Sequence, residues 1–350
     1  MKAVVITAHG GPEVLDYREV ETPMPGPGEV QVRLAASALN HLDLWMRRGL
    51  PGLKLALPHI SGADGAGVVS ALGVGVRKLR EGDPVVVNPV ISCGLCRECL
   101  QGRDNLCREF SVLGEHRPGC LAEYVVVPAQ NVVPAPAGVE PTVLAAVPTT
   151  FMTAWQMLVE KARLQPGELV LLWAAGSGVG VAGLQIAKLL GATVIATASS
   201  EDKLARAREL GADYTVSSRR DDLVDAVKQI SKRGVDVVFE HTGEKTWPRS
   251  ILAAARGGRI VTCGATSGFE AKTDLRHVFF RQLQILGSTM ARKGDLYPIL
   301  DHVAAGRLRP VIDRTFPLAQ ARAAEERLER SEQFGKIVLL PSLASNHDVT

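Results

Sequence analysis

Residues 169–188 read LVLLWAAGSGVGVAGLQIAK. An apolar run from Leu169 to Trp173 passes into three glycines, Gly176, Gly178 and Gly180, and a stretch with helical apolar spacing follows at once. A glycine string alone is a weak signal, because glycines also make plain turns. Between a strand and a helix it becomes specific. Glycine lets a backbone approach a pyrophosphate closely, and the helix N-terminus offers free N–H groups and the positive end of its dipole. Gly176, Ser177, Gly178, Val179 and Gly180 are therefore read as a dinucleotide-binding loop.

Outward from this loop, strand-like runs (ATVIATA, VDVVFEHTG, GGRIVTCG) alternate with helical stretches (VAGLQIAKLLG, EDKLARARELG, DDLVDAVKQIS). That alternation is the βαβ signature of a doubly wound parallel sheet, α/β in class. Before about residue 150 the texture differs. Short runs such as EVQVRLAA, GDPVVVNPV and LAEYVVVP are broken by Gly and Pro, as in an irregular β domain. KIVLLP (336–341) reads as a last strand, and the tail SLASNHDVT (342–350) as polar and loose.

The chain has 350 residues, 46% of them hydrophobic and 22% charged, with a formal charge of +3. That length suits about two domains. The small, dispersed charge gives no reason to expect a nucleic acid or membrane partner. The N-terminus lacks the apolar core of a signal peptide, so the expected setting is the cytoplasm, where disulfides are uncommon.

Four of the six cysteines fall in SCGLCRECLQGRDNLC (92–107). Cys93, Cys96, Cys99 and Cys107 at tight spacing can converge on one tetrahedral Zn²⁺, and four thiolates close the site, making it structural. A disulfide pair, inert buried thiols or an iron–sulfur cluster are the alternatives. The cytosolic setting, the polar interleaving and the unfamiliar spacing disfavour each in turn. Cys120 and Cys263 read as ordinary small hydrophobes.

The strand after the glycine loop ends ATASSEDK. An NAD site usually carries an acid at this tip for the ribose 2′-OH. Here Ala198, Ser199 and Ser200 stand there, and Glu201 and Asp202 read as the first turn of a helix capped by Ser200. Ser199, Ser200, Lys203, Ser218 and Arg219 suit a 2′-phosphate, so NADP(H) is expected over NAD(H). A solvated Lys203 is the competing reading.

Together, GPEVL (11–15), GADGAGVV (62–69), the cysteine lobe, AAGSGVG and FGKIVL (334–339) resemble the medium-chain dehydrogenase/reductase superfamily, the zinc alcohol dehydrogenases and quinone oxidoreductases, over nearly the whole chain. The resemblance implies a GroES-like β-rich catalytic domain (1–150 and about 310–350) and a Rossmann domain (about 151–309). It assigns Cys93, Cys96, Cys99 and Cys107 to a structural zinc. It places Thr242, Gly264, Ala265 and Ser288 in loops beside the nicotinamide, where plain βα turns are the alternative. It also implies a homodimer or homotetramer, paired through an edge strand near QLQILGST (282–289).

The family's catalytic zinc is another matter. Its Cys position holds Asn40, its His position holds Ala63, and its third position falls at or near Thr149. An amide, a methyl and a hydroxyl do not make a zinc site. The resemblance then implies the zinc-free branch, in which hydride goes to an already electrophilic quinone or enone and hydrogen-bond donors hold the oxyanion. Asn40 is the candidate donor, or else only the cap of the helix in HLDLWMRRG. Asp43 and Asp64 stand at the family's acidic positions. Other readings are an alcohol or aldehyde dehydrogenase with an atypical metal site drawn from His59, Asp64 or His41, and a non-catalytic nucleotide-binding regulator.

Overall fold

The computed structural model describes residues 1–49, 52, 55–220 and 222–341; the 342–350 tail lies outside them. The chain forms two compact units. The first holds Met1–Thr149, Arg292–Ala305 and the chain from Pro310, and the second Thr150–Ala291 and Gly306–Arg309. Residues 292–305 follow the strand–helix alternation and read as part of the second unit, yet they belong to the first. Lys293 explains why: its N–H donates to Asp104 (3.2 Å) and its carbonyl accepts from Asn88 Nδ2 (3.0 Å).

The first unit is built on a sheet in the order Ile312–Pro317, Lys336–Leu340, Glu29–Ala38, Asp64–Leu72, Pro84–Val87, Val132–Pro134, with Tyr124–Pro128 also pairing Glu29–Ala38. Its alternating valines, Val30, Val32, Val85 and Val87 among them, pack into one apolar core. A second core gathers Leu39, Leu44, Met46, Leu328, Ile337 and Leu339 beside the helix His41–Arg48. Register decides what meets at the end of the central strand. Ala38 pairs with Asp64 on one side and Val338 on the other, and Leu39 N–H donates to Ile337 O at 3.0 Å. Asn40, Asp64 and Lys336 are thereby brought to one sheet end.

The second unit carries six parallel strands in the order Tyr214–Ser217, Thr193–Ala198, Leu169–Leu172, Val235–Glu240, Ala254–Thr262, Gln284–Gly287. Helices cover both faces of such a sheet, which is why its strands read as unbroken apolar runs. Val170, Leu171 and Leu172 have no exposed surface. The helix Gly178–Leu189 starts at Ser177, whose Oγ accepts from Gly180 N–H at 2.9 Å. A Cβ on Gly180 would lie 2.3 Å from Ala174 O, so only glycine lets the helix start this close to the strand end. This is the GroES-like plus Rossmann architecture implied by the sequence.

Candidate active site and metal centre

The first unit holds a buried polar cluster. Lys336 Nζ donates to Asn40 Oδ1 at 2.6 Å and to Asp64 Oδ2 at 2.9 Å. Asn40 Nδ2 donates to Asp64 Oδ2 at 3.0 Å. Thr149 donates to Asp64 Oδ1 from both its N–H (2.8 Å) and its Oγ1 (2.6 Å). The Asp64 carboxylate is saturated by four donors and has no exposed surface, while Lys336 is 4% and Asn40 7% exposed. A buried charge survives only when paired and hydrogen-bonded, and this one is both.

Gly335 explains how a lysine comes to lie here. Its φ is +96° and a Cβ would sit 2.2 Å from Val311 O, so the strand entry is fixed just before Lys336. Lys336 was passed over in the sequence because FGKIVL reads as a plain strand start. Its only signal was a charge at the head of an apolar run.

Asn40 is the N-cap residue of His41–Arg48, and Asp43 Oδ2 reaches back to accept from its N–H at 2.7 Å. The Asn40 side chain, expected as an oxyanion donor, is engaged within the cluster. Its carbonyl is taken by Lys336, and its amide N–H groups face Asp64 and, more weakly at 3.5 Å, Ala38 O. Asp43 Oδ1 is buried without a partner among the described residues. Burial pushes the Asp43 carboxyl up to about 6, against the pull of the Asn40 N–H and of Lys336. Nearby, Arg47 and Glu325, both fully buried, pair at 2.7 Å, and Arg47 also reaches Glu329 at 3.0 Å. Burial and the Asp43 charge push Glu325 up as well.

The Asp43 shift has a signed consequence. A carboxyl with a raised folded pKa binds its proton more tightly in the native state, so its ionisation lowers stability as pH rises from about 4 through about 6. A rise of that size corresponds to roughly 3 kcal/mol. Asp43→Asn is expected to be more stable than the parent at pH 7.5 by that order and to lose the advantage near pH 4, as read by urea unfolding at both values. An advantage independent of pH would contradict the assignment.

His59 Nε2 lies 3.0 Å from Gly114 O, and burial holds its pKa below the usual histidine value. It does not join His41 and Asp64 in a metal site. Among the described residues, the one group of three or more His, Cys, Asp or Glu able to hold a metal is Cys93, Cys96, Cys99 and Cys107. Their Sγ atoms lie 3.5 to 3.9 Å apart along four edges. A tetrahedron with Zn–S of about 2.3 Å has edges of about 3.8 Å, so the thiols fit a structural zinc. Backbone N–H groups of Leu95 and Cys96 pull the Cys93 thiol down to about 7. Leu95, Leu100 and Leu106 are exposed. The lobe has almost no apolar core of its own, a place that a bound zinc would take.

In the second unit, the glycine loop and the strand ends fit a dinucleotide. Thr242 Oγ1 and Ser288 Oγ, both expected beside the nicotinamide, are buried hydroxyls without a partner among the described residues. Such atoms are costly unless a ligand completes them. Gly264 and Ala265 follow the strand Ala254–Thr262. Ser199 and Ser200 are exposed at the second strand's tip, and Ser200 Oγ caps the next helix by accepting from Lys203 N–H at 3.4 Å. Ser218 O accepts from Arg249 at 3.0 Å.

A residue missed in the sequence organises this end. Glu240, fully buried, accepts from the N–H groups of Thr242 (2.7 Å) and Gly243 (3.1 Å), from Thr246 Oγ1 and from Ser250 Oγ (2.6 Å). Within VDVVFEHTG it looks like a strand-end acid, and nothing local shows that four donors converge on it.

Residues 26–137 match the model of the alcohol dehydrogenase GroES-like domain, and 178–305 that of zinc-binding dehydrogenases. A zinc-type alcohol dehydrogenase-like protein of Schizosaccharomyces pombe is 32% identical over 97% of this chain and 99% of its own. The chain belongs to the medium-chain dehydrogenase/reductase superfamily. A crystal structure of an NAD-dependent alcohol dehydrogenase superposes with a TM-score of 0.94 at 53% identity, over 97% of this chain and 99% of that one. A 2-haloacrylate reductase of Burkholderia is 30% identical over 97% and 98%.

As a medium-chain dehydrogenase/reductase, the protein is an oxidoreductase. The superfamily's catalytic-zinc positions hold Asn40, Ala63 and Thr149, and the Lys336 ammonium lies 2.6 Å from the first of them. That set offers no thiolate or imidazole and already contains a cation, so it does not fit a second zinc. No helix among the described residues is long and apolar enough to cross a membrane.

Proposed function

We propose that this oxidoreductase reduces quinones or α,β-unsaturated carbonyls with NADPH and without a catalytic zinc. The observation that carries the reading is the Asn40–Asp64–Thr149–Lys336 cluster, which fills the ligand positions with an ammonium–carboxylate pair. Without a Lewis acid, a substrate must already be electrophilic. The likeness to a 2-haloacrylate reductase, named for an activated alkene acid, supports the same class.

The bound reduced nicotinamide supplies the hydride. The chain's part is to hold the dinucleotide on Gly176, Ser177, Gly178, Val179 and Gly180 and to orient its nicotinamide end through Thr242, Gly264, Ala265 and Ser288. The uncharged tip at Ser199 and Ser200, with Lys203 and Ser218, supports a 2′-phosphate. One structural zinc sits on Cys93, Cys96, Cys99 and Cys107. The edge strand Gln284–Gly287, with Phe279, Phe280 and Ile285 exposed, supports pairing of two chains, as a dimer or a tetramer. The cysteine pattern supports a cytoplasmic setting.

A second reading, an alcohol dehydrogenase, is favoured by the likeness to the NAD-dependent enzyme. An assay of NADPH and NADH oxidation across quinones, enones and aldehydes, with and without EDTA, separates the two. Turnover of quinones or enones with NADPH, undiminished by chelator, is expected. Ser199→Asp should swing the coenzyme preference toward NADH by tenfold or more, since a carboxylate repels the 2′-phosphate and accepts from a free 2′-OH. Turnover confined to simple aldehydes and alcohols would overturn the reading.

A further inference from the structure

We infer that the second unit carries a site for a diphosphate or bisphosphate small molecule at the amino end of its parallel sheet, apart from the glycine loop and independent of the proposed reaction. A cleft of about 490 Å³ lies there. Ordinary ligand pockets hold roughly 300–1,000 Å³. Lys228, Lys232, Arg233, Arg256, His277 and Arg281 line it, with no carboxylate among the described lining residues. Gly234 and Ala254 line it too, so it sits where the strands Val235–Glu240 and Ala254–Thr262 begin. Both strands run in the same direction as Leu169–Leu172, whose far end leads into the glycine loop. Six residues of strand therefore separate the two places, roughly 17 Å by strand rise.

Acids do not neutralise most of these charges. Arg281 Nη1 donates to Ala254 O at 2.9 Å and its Nη2 to Ile251 O. Arg256 Nη1 donates to Phe280 O at 2.9 Å. Carbonyls orient a guanidinium and leave its formal charge in place. Arg281 Nε is buried and has no partner among the described residues. Capping the end of the helix Trp247–Ala253 accounts for the two Nη contacts but leaves Nε orphaned, a costly state unless a ligand accepts from it. Burial, and after it the Arg256 charge, hold the Arg281 pKa below the usual arginine value, so the two cations feel each other. Lys228, Lys232 and Arg256 are exposed, and no acid bonds to them among the described residues. Arg233 is the exception, forked onto Asp236 at 2.6 and 2.7 Å.

The donor set selects the ligand chemistry. Two neighbouring guanidinium groups offer planar forks that match the several oxygens and double charge of a phosphoryl group better than the single charge of a carboxylate. Lys228 and Lys232 add two compact point charges, which suit a second phosphoryl group. The whole chain carries a formal charge of only +3, so this cleft is a local concentration of cations. Charge gathered in one concave place suits a compact anion, whereas a long polyanion calls for a basic stripe.

The test titrates the zinc-loaded protein with inorganic pyrophosphate by calorimetry, with NADH and NADPH together filling the glycine loop. Wild type should bind one pyrophosphate per chain under these conditions. Arg256→Gln and Lys228→Gln/Lys232→Gln change exposed side chains only. Both proteins should keep the parent melting temperature and bind pyrophosphate about tenfold more weakly, the factor that 1.4 kcal/mol of lost charged contact gives. Arg18→Gln removes an exposed charge from the first unit and should bind as wild type does. Absence of pyrophosphate binding with the loop filled would overturn the inference. Equal affinity in wild type and Arg256→Gln would overturn it as well. So would a loss in Arg18→Gln as large as in Arg256→Gln, since that outcome reports only general attraction to a basic protein. Each of these results leaves the proposed reduction of quinones or enones untouched.

Discussion

Cys96→Ser is expected to strip the chain of its zinc and to unfold the 93–107 lobe. Three of four ligands do not hold a closed structural site, and this lobe has little else, with Leu95, Leu100 and Leu106 exposed. Structural zinc supplies apparent folding free energies of about 10–16 kcal/mol in zinc-finger peptides. Part of that survives as local chain connectivity here. A net loss of even ~4 kcal/mol lowers a melting temperature by roughly 5 °C in a protein of this size. Elemental analysis should fall from one zinc per chain toward none, and limited proteolysis should open between residues 93 and 107. Hydride transfer in the folded fraction should persist, because among the described residues no polar group of the Asn40–Asp64–Lys336 cluster bonds to the lobe. A Cys96→Ser protein with its zinc and melting temperature intact would refute the structural role.

The second large effect concerns Asp64. Asp64→Ala removes the carboxylate that four donors share and leaves the Lys336 ammonium buried beside the Asn40 carbonyl alone. Breaking a buried pair in this way costs about 3–5 kcal/mol, because a charge is left without compensation. Asp64→Asn/Lys336→Met, which removes both charges and keeps the side-chain volumes similar, should recover most of the loss. Urea unfolding of the three proteins measures this directly. A double variant as unstable as Asp64→Ala would mean that volume at Asp64, and not the ion pair, holds the sheet end together.

The fold was legible where local pattern suffices. The run into Gly176, Gly178 and Gly180 fixed a strand, a loop and a helix start, and Ser177 and Ser200 stand as N-caps where turn chemistry puts them. The cysteine lobe was legible because four ligands lie within fifteen residues. The candidate active site was half legible. The absence of thiolate and imidazole at Asn40, Ala63 and Thr149 could be read, but not what replaced them. Lys336 reaches Asn40 across 296 residues through strand register, and no local signal carries such a pairing. The Asn40 amide looked like a free donor because its partners, Asp64 and Lys336, come from two other strands. Residues 292–305 misled for a related reason, since a buried acid at Asp104, remote in sequence, draws Lys293 into the first unit.

On the proposed function, the chain carries one zinc and this zinc does no chemistry. The most direct test is to measure zinc per chain and enone or quinone turnover on one preparation, before and after incubation with added Zn²⁺ or Co²⁺. One zinc per chain and a turnover that added metal leaves unchanged are expected. Two zincs per chain, or a turnover that rises in step with a second bound metal, would contradict it.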